Sequence, residues 1–585
     1  MKVRLKNENI KKDYGRELLK LRGIEDVDTF LNPRISTCLE SYNDLDNIDK
    51  GLELVILAKQ NARVGLIVDC DVDGYTSAAI IYQFFKEVRP DFEITPYIHD
   101  GKAHGLEEHW EAIRDANYDL LVIPDAGSND SQYAKEINCP ILILDHHIVE
   151  DTNFASNMVV INNQLSENYK NKSLSGAGVA LKFCMALDYA YHGNCVRSFK
   201  YVDLAALGIC ADMMSGLEVE NQLLWREGFS SVKNPFFMAI AQKQAYSITG
   251  KMNASWDEIQ EALDPTTVAF YIVPLINAMV RVGTQEEKER MFIAFVDGHR
   301  MIPCNKRGAK GTLEEACIES VRECINARSH QNKAKDAAVA RLEQKIFKHD
   351  LLENKILFVR LDDDDDFPAE LNGLVAMQLS AKYKRPTIVA RLNDEGYIRG
   401  SSRGLSNSEL ESFKKYMDST GLFEYTAGHD NACGISILNT NLPKLHEMAN
   451  HDLAQYNFGD GYYEVNFERQ ALADDLGDLI EDLTKYKHVW SQGNDEPLIY
   501  IRDLHIEKKD IQVMGKNQDT VKITKNGIAY MKFFAKDFIE ELKSYPNDIK
   551  LEVVGRANLN EWGGRVTPQI FIENCEVKED KLLDF

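Results

Sequence analysis

Val64-Gly65-Leu66-Ile67-Val68-Asp69-Cys70-Asp71-Val72-Asp73-Gly74 joins an apolar run to three aspartates at every second position. The run has the length and composition of a buried strand. In an extended strand, residues two apart point the same way. Asp69, Asp71 and Asp73 are therefore expected to leave one face together at the strand's carboxyl end, with Cys70 turned to the opposite face as a core residue. Gly74 lets the chain turn, and Tyr75 to Phe85 reads as helix. Three like charges on one face repel. A divalent cation removes that penalty, because hard cations prefer carboxylate oxygens. Standing alone, the motif fits a solvated acidic turn equally well.

The surrounding chain favours the cation. Apolar strand candidates recur at Val64 to Val68, Glu93 to Ile98, Leu120 to Ile123, Ile141 to Leu144 and Met158 to Ile161, with helical stretches between them. Such alternation predicts a mainly parallel sheet with helices on both faces, and ligands bind beyond the carboxyl ends of its strands. Two further strand ends carry polar chemistry: Asp125-Ala126-Gly127 and Asp145-His146-His147. Three strands thus bring carboxylates and imidazoles to one sheet edge. Oxygen-rich ligands with one or two imidazoles suit Mn²⁺ or Mg²⁺ better than a closed zinc site. Asp203 opens another apolar segment, where a helix cap is its plain structural reading.

Length and composition set the frame. A chain of 585 residues implies several domains. Its hydrophobic fraction of 44% is ordinary for a globular protein. No apolar run is read as a membrane span, and Met1 to Glu8 lacks the apolar core of a secretory signal. Eleven scattered cysteines without a C-x-x-C pair argue against a disulfide framework or structural zinc, and a reducing cytoplasm is expected. The net charge of −24 sits awkwardly with a polyanionic substrate unless basic groups are concentrated in a groove.

Beyond residue 228 the rhythm changes. Glu314 to Lys348 reads as a long helix with a local excess of Lys and Arg in its later half. Asn277 and Arg281 stand one helical turn apart and would share a face, where an arginine fork suits phosphate. Asp362 to Asp366 reads as a solvated loop. Glycine-flanked turns around Gly400-Ser401-Ser402-Arg403 and Ala427-Gly428-His429 would expose backbone N–H groups to phosphate, with Arg403 and His429 supplying charge-assisted bonds. From Leu498 short alternating strands recur, with Tyr530, Phe533, Phe534 and Trp562 as candidate stacking aromatics.

The four stretches ending in Asp73-Gly74, Asp125-Ala126-Gly127, Asp145-His146-His147 and Asp203 resemble the successive motifs of the DHH phosphoesterase superfamily. Leu174-Ser175-Gly176-Ala177-Gly178 and Asp203-Leu204-Ala205-Ala206-Leu207-Gly208 to Ala211-Asp212 are similar to its RecJ branch, the single-strand-specific DNA exonucleases. So are Leu21-Arg22-Gly23-Ile24, Phe30-Leu31-Asn32-Pro33, Asn277 to Arg281 (with Val280 where the family has glycine), and Gly493-Asn494-Asp495-Glu496-Pro497. The stretch Ala427 to Gly434 resembles the last motif of the DHH-associated domain, with Ala427 and Cys433 as departures.

The resemblance implies an α/β fold in six parts: 1–62, an N-terminal helical segment; 63–240, the parallel-sheet DHH domain; 241–350, a connector with the long helix; 351–450, a second α/β DHH-associated domain; 451–497, a linker; and 498–585, an OB-type β-barrel. It implies a Mn²⁺-dependent exonuclease of single-stranded DNA, acting 5′ to 3′ and releasing mononucleotides in recombination and repair, with two ions and Mg²⁺ as an alternative. Asp71, Asp73, Asp125, His146 and Asp203 would hold metal, with Asp69 and His147 completing the catalytic shell and His429 binding the scissile phosphate. Ser175, Gly176, Asn277, Arg281, Ser401, Arg403 and Gly428 would bind substrate. The expected partner is single-stranded DNA, with a single-strand-binding protein or a helicase as protein partners and a monomeric chain. Two other readings share some of these residues: a phosphodiesterase of short oligonucleotides or cyclic dinucleotides, and a non-catalytic replication scaffold.

Overall fold

The computed structural model describes all residues except 7–9, 102–103, 363–364, 366, 460, 546–548, 563 and 579–585. Part of the acidic run 362–366 and the side chain of Trp562 therefore lie outside the described residues. The chain divides into two compact units. One comprises Ile24–Gln331 with His488–Asp495; the other comprises Met1–Gly23, Asn332–Lys487 and Glu496–Phe585. This division differs from the six parts read from sequence, and the first 23 residues separate from the helices that follow them.

The first unit is built on five parallel strands: β1 (Arg63–Val68), β2 (Glu93–Ile98), β3 (Leu120–Pro124), β4 (Ile141–Asp145) and β5 (Met158–Asn162). Their order is β2-β1-β3-β4-β5. Alternate residues serve two cores. Leu66, Val68, Val122, Leu142 and Leu144 face one; Ile67, Leu121, Ile123, Ile141 and Ile143 face the other. A strand buried on both sides has no polar face, which is why these segments read as unbroken apolar runs. Helices α1 (Val72–Val88), α2 (Gly176–His192) and α3 (Val202–Ala211) contribute to the first core. The strand order reverses between β1 and β3, and a crevice opens at such a switch point. Asp69 and Asp125 immediately follow those two strands.

Strand geometry ends at Val68. Asp71 is already the cap of α1 and Asp73 lies in its first turn, so the every-second-position argument does not describe how these side chains are aimed. Pro265–Val282 is apolar and long enough to cross a membrane, contrary to the sequence reading, yet half of it is buried inside the unit. It is also split into the helices Pro265–Tyr271 and Val273–Val282.

The second unit holds a mixed five-stranded sheet, Leu357–Leu361, Thr387–Leu392, Tyr397–Arg403, Ala432–Leu438 and Phe423–His429 from edge to edge. It also holds a seven-stranded sheet. That sheet begins with Phe467–Gln470, inside the stretch expected to be a linker, and reaches Arg565–Lys578. Residues Lys2–Leu5 form a strand rather than part of a helical segment, pairing in parallel with Tyr462–Val465.

Candidate metal centre

The acidic cluster is assembled by helix ends and close-packed glycines. Asp71 Oδ1 accepts the Gly74 N–H at 2.9 Å, capping α1. Asp73 is buried against the amino terminus of α2. Its Oδ1 accepts the Ser175 hydroxyl at 2.9 Å and the Ala177 N–H at 3.1 Å, and its Oδ2 accepts the Gly176 N–H at 2.7 Å. The free N–H groups and dipole of a helix start favour a carboxylate there. The approach requires glycine: a Cβ on Gly176 would lie 2.3 Å from Asp125 Oδ1, and one on Gly208 would lie 2.1 Å from Asp73 Oδ1. Asp125 adopts φ +67°. Aspartate is one of the few residues besides glycine that adopts this left-handed conformation readily.

His146 stands among these carboxylates. Its Nε2 lies 3.2 Å from Asp125 Oδ1, 3.5 Å from Asp212 Oδ2 and 4.0 Å from Asp73 Oδ2. His146 and Asp125 are both buried, and neither Nε2 nor Oδ1 has a hydrogen-bond partner. Two overlapping groups, Asp73-His146-Asp212 and Asp125-His146-His147, each bring three donor atoms within 4.8 Å of one another. Adjacent donors around a six-coordinate ion with bonds of about 2.1 Å stand about 3 Å apart, so the set fits a divalent cation. Its carboxylates and imidazole suit Mn²⁺ or Mg²⁺.

Electrostatics agrees. Burial, with Asp69 and Asp73 nearby, pushes Asp71 up to about 6. Burial, with Asp73 and Asp71, raises Asp212 to about 8. Asp125 is raised well above the carboxylate range by burial and by Asp73, Asp71, Asp69 and Asp212. Burial lowers His146, which keeps its imidazole neutral and able to coordinate. A cation would relieve the repulsion that otherwise binds protons here.

Several expectations need correction. Asp203 does not join the cluster. Its Oδ1 accepts the Leu204 N–H at 2.8 Å, and its Oδ2 accepts the N–H groups of Lys233 and Asn234, both at 2.7 Å. The acidic residue at the other end of α3, Asp212, takes the place foreseen for it. Ser175 and Gly176 are spent on Asp73 and are not free to bind substrate. Asp69 turns toward the loop after β2, where its oxygens meet His104 Nδ1 at 2.6 Å and the Gly105 N–H at 3.1 Å. That contact raises His104 to about 11. Cys70 lies at the edge of the first core, partly buried, with Sγ 3.7 Å from the His104 ring nitrogens. His147 is half-exposed and bonds Asp145 Oδ1 at 2.8 Å, which raises it to about 9 although burial pulls the other way.

Asn277 and Arg281 lie on helix Val273–Val282 as foreseen. Arg281 is near enough to feel Asp71 and Arg328, and burial lowers its guanidinium. In the second unit, Ala432 is the register partner of both Arg403 and His429, and Gly434 is that of Ser401. Register partners present side chains to one face, so Ser401, Arg403 and His429 share a face of that sheet. Gly428, at φ +126°, precedes His429 and pairs with Cys433, one position out of that row.

A parallel sheet that delivers buried carboxylates and an imidazole to its switch point defines the DHH class of phosphoesterases. The family model of the DHH family N-terminal domain matches residues 63–209, and that of the RecJ OB domain matches residues 472–574. The chain is 35% identical over 574 residues, 96% of each protein, to YorK of Bacillus subtilis, provisionally named an SPbeta-prophage-derived single-strand DNA-specific exonuclease. It is 23% identical over 541 residues to the single-stranded-DNA-specific exonuclease RecJ of Bacillus subtilis, covering 90% of this chain and 62% of that protein. RecJ of Thermus thermophilus in complex with Mn²⁺ has a similar fold, with a TM-score of 0.70 at 18% identity over 99% of this chain and 80% of that one. The chain belongs to the DHH family, in the branch that holds YorK and RecJ. The OB match begins inside the stretch read as a linker, as the seven-stranded sheet does.

Proposed function

We propose that this chain is a divalent-metal-dependent exonuclease that degrades single-stranded DNA, with Mn²⁺ as its working ion and Mg²⁺ as a substitute. The observation that carries the reading is the His146 Nε2 atom enclosed by oxygens of Asp125, Asp212 and Asp73. The relatives' names supply the substrate class.

Asp73, Asp125, Asp212, His146 and His147 would hold the divalent ions. Bound there, the ions neutralise the phosphodiester, activate water and stabilise the leaving oxygen. The protein's own groups do the rest. The start of α2 fixes Asp73 through three donors, so that this ligand does not swing. Asp145, held ionised below the usual carboxylate range by His147 against the pull of burial, orients the His147 ring and holds the backbone of His146. Arg281 offers a guanidinium beside Asp71 for a neighbouring phosphate. Ser401, Arg403, Gly428 and His429 would contact phosphates through the second unit's sheet. The 5′ to 3′ direction and mononucleotide products follow the resemblance.

The test uses end-labelled single-stranded DNA, double-stranded DNA and short RNA, each with Mn²⁺, Mg²⁺ or chelator. Digestion of the single strand with either ion, its loss with chelator and sparing of the duplex are expected. Chelator-insensitive cleavage, or equal digestion of the duplex, overturns the reading.

A further inference from the structure

A group of mixed donors stands outside the acidic cluster, where the chain enters its long helix. After helix Gln285–Val296 the chain turns through His299 and forms a short antiparallel hairpin, Met301–Pro303 with Leu313–Glu315. Met301 is the register partner of Glu315. Carried two residues outward, that register sets His299 opposite Cys317, with Glu315 diagonal to His299 on the same face. Helix Ala316–Lys348 begins there, so Cys317 lies in its first turn. Backbone bonds fix the junction: the Ala316 N–H donates to the Arg300 carbonyl at 2.8 Å, and the Cys317 N–H to the Gly298 carbonyl at 2.9 Å.

Three different donor side chains converge at this junction. Glu315 Oε2 lies 3.2 Å from His299 Nδ1 and 3.7 Å from Cys317 Sγ. The three donor atoms all lie within 4.8 Å of one another. A tetrahedral ion with bonds of about 2.0–2.3 Å holds neighbouring donors about 3.3–3.6 Å apart, so these atoms need little movement to share one. Imidazole, thiolate and carboxylate together suit Zn²⁺, because Mn²⁺ and Mg²⁺ prefer sites made of oxygens. The His299 and Glu315 side chains are 71% and 44% exposed, while Cys317 is buried. A metal thus has an open approach from solvent on one side and a thiol held by packing on the other. An exposed His–Glu pair alone adds little; the buried thiol brought to the same oxygen makes the pair a donor set. Only one cysteine takes part, so cysteine spacing does not announce the site.

We propose that His299, Glu315 and Cys317 bind Zn²⁺, with water in the fourth position, and staple the hairpin to the start of helix Ala316–Lys348. The thiol hydrogen that Cys317 directs at Glu315 leaves as a proton when the ion enters. The junction is formed by other contacts as well. The Asn305 N–H donates to Glu319 Oε1 at 2.7 Å, and Arg290 pairs with Glu323 one turn further along the helix. Zinc therefore adds rigidity to a formed junction instead of creating one. None of the three residues belongs to the acidic cluster, so the site stands or falls separately from the proposed hydrolysis.

The test titrates Co²⁺, a spectroscopic stand-in for Zn²⁺, into the metal-stripped full chain. Cobalt bound to thiolate gives a sulfur-to-metal charge-transfer band in the near ultraviolet, and a tetrahedral site adds strong visible absorption. Co²⁺ held by the carboxylates and imidazoles of the acidic cluster gives no sulfur band. Sulfur-bound Co²⁺ at one per chain is expected, bleached on addition of Zn²⁺. Cys317→Ser should abolish the band. His299→Ala and Glu315→Gln change exposed side chains and should leave the fold intact. Each should weaken Co²⁺ binding by more than the roughly 10–100-fold that follows loss of an outer partner of a ligand. Absence of the sulfur band in the parent chain overturns the proposal and leaves His299 and Glu315 as an ion pair only. Unchanged affinity in both His299→Ala and Glu315→Gln overturns it too. Loss of the band in Cys70→Ser with its retention in Cys317→Ser moves the ion to Asp69, Cys70 and His104, and overturns it equally.

Discussion

His146 Nε2 and Asp125 Oδ1 face each other across 3.2 Å, both buried and both without a hydrogen-bond partner. A folded chain rarely leaves such a pair facing unless a third atom joins them. Asp125→Asn keeps the shape but removes the charge. It should lower hydrolysis of single-stranded DNA by about three orders of magnitude, the scale of losing a principal electrostatic contact, while strand binding survives. Turnover within a few fold of the parent chain would refute a metal-ligand role for Asp125.

Asp203 and Asp212 flank one helix but should fail differently. Asp212→Asn should cost activity and bound Mn²⁺ with little change in thermal midpoint. Asp203→Asn should keep its metal but lose about 1–3 kcal/mol of stability, because an amide has one carbonyl oxygen where the carboxylate has two to accept from the three backbone N–H groups of Leu204, Lys233 and Asn234. Metal analysis beside a denaturation curve separates the two; a swap of phenotypes would return Asp203 to the metal site.

Metal-free protein should lose stability as pH rises. The folded-state pKa values of Asp71 and Asp212 are raised to about 6 and about 8. Their contribution is fully present below the ordinary carboxylate pKa and is lost as pH climbs through those values. The cluster is then charged and uncompensated. Saturating Mn²⁺ should flatten the decline. Thermal midpoints at pH 5, 7 and 8.5, with and without Mn²⁺, make the comparison, and parallel curves would speak against the cluster as the metal site.

His429→Ala should slow cleavage by about two to three orders of magnitude, as loss of a transition-state donor does, with bound Mn²⁺ unchanged. Depletion of the metal in this variant would make His429 a ligand or a folding residue.

Lys522, Met531 and Phe571 are register partners across three strands of the seven-stranded sheet. Exposed Phe533 stands edge-on to Phe571 at 5.4 Å. This cation beside aromatics suits a DNA strand, with stacking worth about 1–3 kcal/mol per base. Lys522→Ala with Phe533→Ala should weaken binding of a strand of about 30 nucleotides at least tenfold and leave dinucleotide cleavage intact. Equal effects on both substrates would favour a small-substrate phosphodiesterase.

The sheet was legible because strands buried on both faces leave unbroken apolar runs, and Asp73, Asp125 and His146 were legible because they follow those runs. The choice between Asp203 and Asp212 was not. It depends on which end of α3 meets Asp73, and that is fixed by Gly208, whose missing Cβ admits the Asp73 carboxylate. The aim of Asp69 and Cys70 was hidden for a different reason: strand alternation stops at Val68, where helix capping takes over. The strand Lys2–Leu5 has no local signal, since its partner is the distant strand Tyr462–Val465.

That pairing fixes an order of events during synthesis. Lys2 hydrogen-bonds alongside Tyr462, and Met1 reaches Glu576. The strand Lys2–Leu5 must wait, unpaired, until Tyr462–Val465 has been made. Ile24–Gln331 is contiguous and can gather its sheet much earlier. The clustered aspartates can thus be put in place while the other unit still lacks most of its strands.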